Sequence, residues 1–201
     1  MAVMKADIYL HKQYHYDTMV VTAIISSPRR DGFGARILEQ IVVGAESVGK
    51  EVNVHFLNDM RTIRQCQNCG ACKMSGECIL EDDIAPIIDE IRGAEGIIQV
   101  TSCNFNEVNG LFKVVHDRLY CFLDMNSSTI MPKGKKVATV VTAGADQASA
   151  DRIADNLEKV MSQHFFCEPV GKIVYNTWMM PKEMPVDDDI LKRAYEIGTR
   201  F

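Results

Sequence analysis

The amino-acid sequence predicts an α/β fold in which five parallel strands form a doubly wound sheet in the order 2-1-3-4-5. Short apolar runs of strand length alternate with longer segments whose apolar residues recur at helical spacing. The first apolar run is uncharged and rich in β-branched residues, which is typical of a strand covered on both faces. The second run alternates apolar with polar residues, as a half-exposed edge strand does. A second strand at the edge favours the order 2-1-3-4-5 over 3-2-1-4-5.

The elements follow one another from residue 19 onward. The predicted strands cover residues 19–25, 52–56, 96–100, 137–141 and 172–175. The predicted helices cover residues 35–48, 82–92, 111–122, 153–161 and 188–198. Gly49 stops the first helix, and Asp82 and Asp83 cap the second.

The chain divides into an N-terminal arm of residues 1–18, a core domain of residues 19–176 and a C-terminal tail of residues 177–201 that carries the last helix. The composition, 47% apolar and 24% charged, is that of an ordinary globular protein. A net charge of −5 gives no basic face, so we do not expect nucleic acid as a partner. The arm has no continuous apolar run and no later segment is long enough to span a membrane, so we expect a cytoplasmic protein without a membrane partner.

Four of the seven cysteines lie within residues 66–78, in the loop after the second strand. Their C-x2-C-x2-C opening with one further cysteine is the spacing of ferredoxin-type segments that bind a [4Fe-4S] cluster. Gly70 and Gly76 allow the chain to turn around a small object. The favoured interpretation is therefore a cluster held by Cys66, Cys69, Cys72 and Cys78.

Three other interpretations of this segment stay open. The same thiolates suit a structural zinc site, although zinc segments more often separate two C-x2-C pairs by a longer spacer. Disulfides are a second option, but cysteines three residues apart are poor partners and a cytosolic chain keeps its thiols reduced. Chance clustering is the third. The remaining cysteines, Cys103, Cys121 and Cys167, are expected to be buried, inert thiols, with Cys103 also placed at a strand end where it could reach a ligand.

The turns after the first, third and fourth strands meet where ligands bind in open α/β sheets, outside the carboxyl ends of the strands. Residues 26–34 combine hydroxyl groups, two arginines and a helix N-terminus, which favours a phosphate. Their spacing is neither a P-loop nor a G-x-G-x-x-G turn, and a plain polar turn is the alternative. Residues 101–106 could border a planar ring, and residues 142–146 are small enough for close backbone approach.

On these motifs the chain resembles the iron–sulfur flavoproteins, within the NADPH-dependent FMN reductase group of flavodoxin-like proteins. The similarity covers about residues 20–145 and includes the turn, the cysteine segment with its Asp82-Asp83 pair, and a helix carrying Lys113, Asp117 and Arg118. The chain departs from the family pattern at four positions. Phe33 and Gly34 stand in place of an asparagine and a hydroxyl residue, and Ser102 and Asn104 in place of a proline and a tyrosine.

The resemblance implies FMN in the crevice, a nearby [4Fe-4S] cluster and a homodimer or homotetramer in which the two cofactors meet across a subunit boundary. It also implies a redox partner, either ferredoxin or NAD(P)H, and a small-molecule acceptor, with no side chain required as a general acid or base. The phosphate would be held by Ser27, Arg29, Gly32, Phe33, Gly34 and Ala35. The ring would be flanked by Ser102, Cys103, Asn104, Phe105, Asn106, Ala143, Gly144 and Ala145.

The function predicted from the sequence is that of an oxidoreductase that couples the cluster to FMN and converts between one-electron and two-electron chemistry. One alternative is an NAD(P)H-dependent flavin or quinone reductase whose cysteine segment only stabilises a loop. The other is a zinc-stabilised binding module without flavin.

Overall fold

The computed structural model describes residues 20–144 and 146–201, and its sheet confirms the predicted fold class. Five parallel strands run in the order β2-β1-β3-β5-β6. This is the predicted order 2-1-3-4-5, because β5 and β6 are the predicted fourth and fifth strands. A short β4 pairs antiparallel with the end of β3 and makes a hairpin that the sequence did not predict. The strands are β1 Val20–Ile25, β2 Glu51–Phe56, β3 Gly96–Asn104, β4 Glu107–Val108, β5 Lys136–Ala143 and β6 Glu168–Asn176. The predicted N-terminal arm lies outside the described residues.

Helices cover both faces of the sheet, as its doubly wound topology requires. They are α1 Phe33–Ser47, α2 Cys72–Ser75, α3 Ala85–Gly93, α4 Gly110–Arg118, α5 Gln147–His164 and α6 Asp188–Gly198. One apolar core lies between the sheet and α3, α4 and α5. The other lies between the sheet and α1 and α6. Every residue of β1 is buried and β2 is half-exposed at the edge, in agreement with their sequence patterns. No helix in the described part of the chain combines the length and apolar character needed to cross a membrane.

The C-terminal helix α6 packs directly against α1 through two glycines. A Cβ atom on Gly198 would overlap the carbonyl oxygen of Ile41 and would lie 2.7 Å from the amide nitrogen of Ala45. A Cβ atom on Gly44, on the other helix, would overlap the carbonyl oxygen of Tyr195. The two backbones therefore touch without side chains between them, and this contact joins the last helix to the core domain.

We expect Gly198→Ala to lower the free energy of unfolding by about 2 kcal/mol or more, because an added methyl group without space forces the helices apart. Gly93→Ala is the matched control, since nothing lies within 4 Å of a Cβ at that helical position and alanine is the better helix former. Urea unfolding followed by circular dichroism compares the two variants with the wild type. Equal stability of Gly198→Ala and the wild type would contradict this description of the α1–α6 contact.

Candidate functional site

The four predicted cluster ligands line one small pocket in the loop between β2 and α3. Ile79, Leu80 and Tyr120 contribute apolar surface to its walls. Three positions in this loop adopt the left-handed backbone conformation that tight turns require, at Asn68, Gly70 and Gly76. In residues 20–144 and 146–201, no group of three or more His, Cys, Asp or Glu side chains is arranged to hold a metal ion. The pocket brings together Cys66, Cys69, Cys72 and Cys78.

A buried ion pair ties both ends of the cysteine segment to α4. The side chains of Arg118 and Asp82 are fully buried, and Nη1 of Arg118 donates to Oδ2 of Asp82 at 2.9 Å. The same Nη1 donates to the carbonyl oxygen of Arg64 at 3.0 Å, and Nη2 donates to that of Leu80 at 3.4 Å. Asp82 accepts from the amide of Arg64 at 2.8 Å. Residues 64 and 80, which flank the four cysteines, are therefore held by one pair.

Asp82 and Asp83 also organise the chain that follows the segment. Oδ1 of Asp82 accepts from the amides of Ile84, the N-cap residue of α3, and Ala85, its first residue, so this carboxylate supports the start of the helix. The sequence also predicts Asp83 as a cap, but its carboxylate makes its hydrogen bonds elsewhere. Oδ2 of Asp83 accepts from the amides of Arg61 and Thr62, at 2.7 and 2.9 Å. These backbone hydrogen bonds lower the pKa of Asp83.

Three cationic side chains surround the cysteine pocket. Although burial alone would lower the pKa of Arg118, its hydrogen bond to Asp82 and the charge attraction of Cys78 and Asp82 raise it, so its guanidinium stays positive. The buried Arg92 donates from Nη2 to the carbonyl oxygen of Gly76 at 2.6 Å. Lys73 donates to the carbonyl oxygens of Tyr120 and Leu123, at 2.9 and 2.7 Å, with its ammonium 3.3 Å from the centre of the Tyr120 ring. Cations in these places favour negatively charged sulfur ligands.

The other cysteines occupy different surroundings. Cys121 is buried behind the pocket, and burial raises the pKa of its thiol to about 12. Cys167 is buried next to β6, where burial raises its pKa to about 11. Burial also raises the pKa of Cys72, an effect that Lys73 opposes. Cys121 and Cys167 thus have the buried surroundings expected of inert thiols, whereas Cys103 is half-exposed.

A second, larger cavity of about 310 Å³ lies outside the carboxyl ends of β1, β3 and β5. Its volume is at the lower end of the range for small-molecule sites. Eight predicted cofactor residues line it, namely Ser27, Arg29, Phe33, Gly34, Ser102, Cys103, Asn104 and Gly144. Four further residues line it: Pro28 and Thr142 belong to the turns that the sequence assigns to the ligand region, whereas Asn109 and Thr177 lie outside the predicted turns.

Several predicted cofactor residues do not line this cavity. Gly32 is the N-cap of α1, and Ala35 is buried within that helix. Ala143 is buried in β5, and its carbonyl oxygen accepts from Oγ1 of Thr177 at 3.1 Å. Phe105 and Asn106 form the tip of the β3–β4 hairpin, both with left-handed φ and Phe105 fully exposed. Ala145 lies outside the described residues.

The sequence carried usable signals for two of the missed residues. Thr177 directly follows β6, so it stands at the same edge of the sheet as the other strand ends. Asn109 precedes α4, and its side chain accepts from the amide of Leu111 at 3.0 Å, as an N-cap asparagine does. Its place in the cavity depends on the hairpin, because β4 turns the chain back onto β3.

The start of α1 offers the cavity an uncapped helix N-terminus. Gly32 makes no side-chain cap hydrogen bond, and the first turn of the helix contains no acidic residue. Oγ of Ser27 accepts from the amide of Arg29 at 3.2 Å and so closes the preceding turn. A Cβ atom on Gly34 would lie 3.2 Å from Cγ1 of Val100, so glycine here lets the helix approach the sheet closely. The positive helix end and Arg29 together suit an anionic group.

A known protein family matches most of the chain. The family model described as NADPH-dependent FMN reductase matches residues 19–178. The chain belongs to this family. It is therefore an oxidoreductase of the flavin reductase type, which confirms the family resemblance identified in the sequence.

Several curated relatives bear the name iron–sulfur flavoprotein, and two of them cover most of the chain. One, from Archaeoglobus fulgidus, is 26% identical over 184 residues, which cover 91% of this chain and 79% of the relative. The other, from Methanosarcina thermophila, is 24% identical over 146 residues, covering 73% and 74% of the two chains. Among solved structures, an NAD(P)H:quinone oxidoreductase from Methanothermobacter marburgensis matches with a TM-score of 0.65 at 19% identity, covering 91% of this chain and 96% of its own. That structural match shows a shared fold.

The accessibility of the thiols in the metal-free chain provides a test of the pocket. We expect alkylation by iodoacetamide at pH 8 to modify Cys69 first, because it is the exposed member of the segment. Cys121 and Cys167 should stay unmodified until the chain is unfolded, because burial hides them and raises their pKa. Peptide mapping by mass spectrometry gives the order. Labelling of Cys121 at the rate of Cys69 would contradict the described packing.

Proposed function

We propose that this protein is an electron-transfer oxidoreductase in which a [4Fe-4S] cluster held by the cysteine segment exchanges electrons with FMN in the sheet-edge cavity. One observation carries the proposal: four cysteines with ferredoxin-type spacing line a single pocket in a chain that belongs to the NADPH-dependent FMN reductase family. The ligands of the cluster would be Cys66, Cys69, Cys72 and Cys78.

The residues of the pocket fit a cluster. All four donors are sulfur atoms, and Arg118, Arg92 and Lys73 supply positive charge to a group that carries several thiolates. Nε of Arg118 is buried and has no hydrogen-bond partner in the part of the chain that the structure describes. A buried donor without a partner is costly unless a further acceptor is present, and a sulfur ligand would be such an acceptor.

The sheet-edge cavity fits FMN. Ser27, Arg29 and the first amides of α1 would bind the phosphate, and the ends of β3 and β5 would flank the ring. Thr177 and Asn109 add hydrogen-bonding groups to the same cavity. Phe33 and Gly34 line the cavity at the two positions where the family usually has polar side chains. Because these polar groups are missing here, binding of the phosphate would depend on backbone amides and Arg29.

The two sites lie at opposite ends of α4. Asn109, which precedes this helix, lines the flavin cavity, and Arg118 at its end contacts the cysteine segment. Nine helical residues span about 14 Å. When bound, the cluster passes single electrons and FMN accepts one or two, so the pair would link donors and acceptors of different electron number. NAD(P)H or ferredoxin as donor, a small-molecule acceptor and a homodimer or homotetramer remain predictions.

An NAD(P)H-dependent flavin or quinone reductase without a functional cluster is the second candidate. It is favoured by the anchoring of the cysteine segment through protein groups: Arg118 and Arg92 donate hydrogen bonds to backbone carbonyl oxygens, and Asp82 accepts one from the amide of Arg64. In that case the segment would be a structural loop beside the flavin site.

Quantification of the cofactors after strictly anaerobic purification separates the candidates. We expect four iron atoms, four sulfide ions and one FMN per chain, with broad visible absorbance, because the pocket offers only thiol donors. One zinc ion without sulfide would instead indicate a structural metal site. FMN without iron, sulfide or zinc after reconstitution with iron and sulfide would favour the plain reductase.

The neighbouring arginines of the first turn provide a matched test of the phosphate site. Arg29 lines the cavity, whereas Arg30 pairs with Asp59 and stacks on the ring of Phe56. We expect Arg29→Gln to weaken FMN binding about tenfold, equivalent to about 1.4 kcal/mol, while Arg30→Gln leaves it unchanged. Riboflavin, which lacks the phosphate, should bind both variants like the wild type. Flavin fluorescence quenching gives the dissociation constants, and equal losses for the two variants, or for the two flavins, would contradict this assignment.

A further inference from the structure

Arg118 combines three properties. It is 1% exposed, its guanidinium binds the backbone on both sides of the cysteine segment, and its Nε has no hydrogen-bond partner in residues 20–144 and 146–201. Leu80, whose carbonyl oxygen accepts from Nη2 of Arg118, lines the same pocket as Cys78. A buried positive charge therefore stands at the wall of the pocket that the proposed sulfur ligands line.

We propose that Arg118 is the positioning residue of the cluster site: held by Asp82, it orients the cysteine segment and stabilises the cluster in its reduced state. The inference rests on the proposed function, since it concerns the cluster that the four cysteines would hold. It assigns to one side chain of α4 a role that the spacing of the cysteines does not reveal.

The charge of Arg118 would act on the cluster electrostatically. Reduction adds one negative charge to a cluster, and a fixed positive charge beside a sulfur ligand stabilises that state. Because the side chains of Arg118 and Asp82 are fully buried, solvent screens their charges little. Arg118 should raise the midpoint potential, and the carboxylate of Asp82 should lower it. Removing the charge of Arg118 should thus lower the midpoint potential, and removing the charge of Asp82 should raise it.

The geometry explains why arginine orients the segment better than lysine would. Its two terminal nitrogens reach separate acceptors, with Nη1 at Asp82 and Arg64 and Nη2 at Leu80. Lysine keeps the charge but has a single nitrogen and loses this fork. Arg118→Lys therefore separates charge from orientation, whereas Arg118→Gln removes both the charge and most of the fork.

The test is a redox titration of the reconstituted full-length protein, followed by electron paramagnetic resonance, with iron and sulfide per chain measured on each sample. At the wild-type midpoint, Arg118→Gln should lower the ratio of reduced to oxidised cluster about tenfold, which is a shift of about 59 mV for one electron. Arg118→Lys should stay near the wild-type potential but take up iron more slowly. Asp82→Asn should shift the potential upward. Lys113→Gln is the control, because this exposed cation of α4 pairs with Asp117 in solvent and should leave the potential unchanged.

A wild-type potential in Arg118→Gln would overturn the inference, as would shifts of Arg118→Gln and Asp82→Asn in the same direction, which a general loosening of the loop would produce. Failure of Arg118→Lys to load iron would overturn it too, because the retained charge would then not be sufficient. If Asp82→Asn does not fold, the comparison of the two Arg118 variants decides. A wild-type protein that takes up no iron and sulfide would instead refute the proposed function itself.

Discussion

The buried ion pair between Asp82 and Arg118 is the interaction on which the arrangement of the cysteine segment depends. Moving two charges out of water costs several kcal/mol per ion, and the pair offsets this cost only if its remaining hydrogen-bonding groups are satisfied. Here the carboxylate accepts from three backbone amides and the guanidinium donates to two carbonyl groups. All of these groups flank the cysteines, so the stabilisation of the pair fixes both ends of the loop.

The helix that carries Arg118 connects this loop to the sheet-edge cavity. Asn109 caps α4 at the cavity, and β4 brings that asparagine back to the end of β3. A shift of α4 would therefore move residues at both sites. The sheet adds a second constraint, because the parallel strands β1, β3 and β5 end at the same edge and place their turns around one cavity.

Much of the fold could be predicted from the sequence because its patterns are local. The burial of β1 and β2 could be predicted from their own residues, because β1 is uncharged and β2 alternates apolar with polar residues. The β3–β4 hairpin was missed because its tip, Phe105-Asn106, adopts left-handed φ without the glycine that usually marks such a turn. The α1–α6 contact was missed although both of its positions are glycines. Gly44 and Gly198 lie inside helical patterns, and a glycine within a helix does not by itself indicate that another backbone packs against it.

The candidate sites show the same division. The cysteine segment and the turn after β1 could be recognised from the sequence, because the residues of each motif are close together in the chain. The contribution of Arg118 depends on a contact with Asp82, 36 residues away, and that of Thr177 on a strand at the far side of the sheet. Such long-range pairs follow from topology and packing, which single-residue patterns do not encode. The resemblance to the iron–sulfur flavoproteins included Arg118 in a motif without giving its role.

A redox cluster in the cysteine segment would give a paramagnetic signal when reduced. We would record the electron paramagnetic resonance spectrum of the anaerobically reduced protein beside Cys69→Ser and the control Cys167→Ala, whose cysteine lies apart from the pocket. We expect a reduced [4Fe-4S] signal in the wild type and in Cys167→Ala, and its loss in Cys69→Ser with FMN still bound. A wild-type protein without this signal, or an unchanged signal in Cys69→Ser, would contradict the proposed cluster.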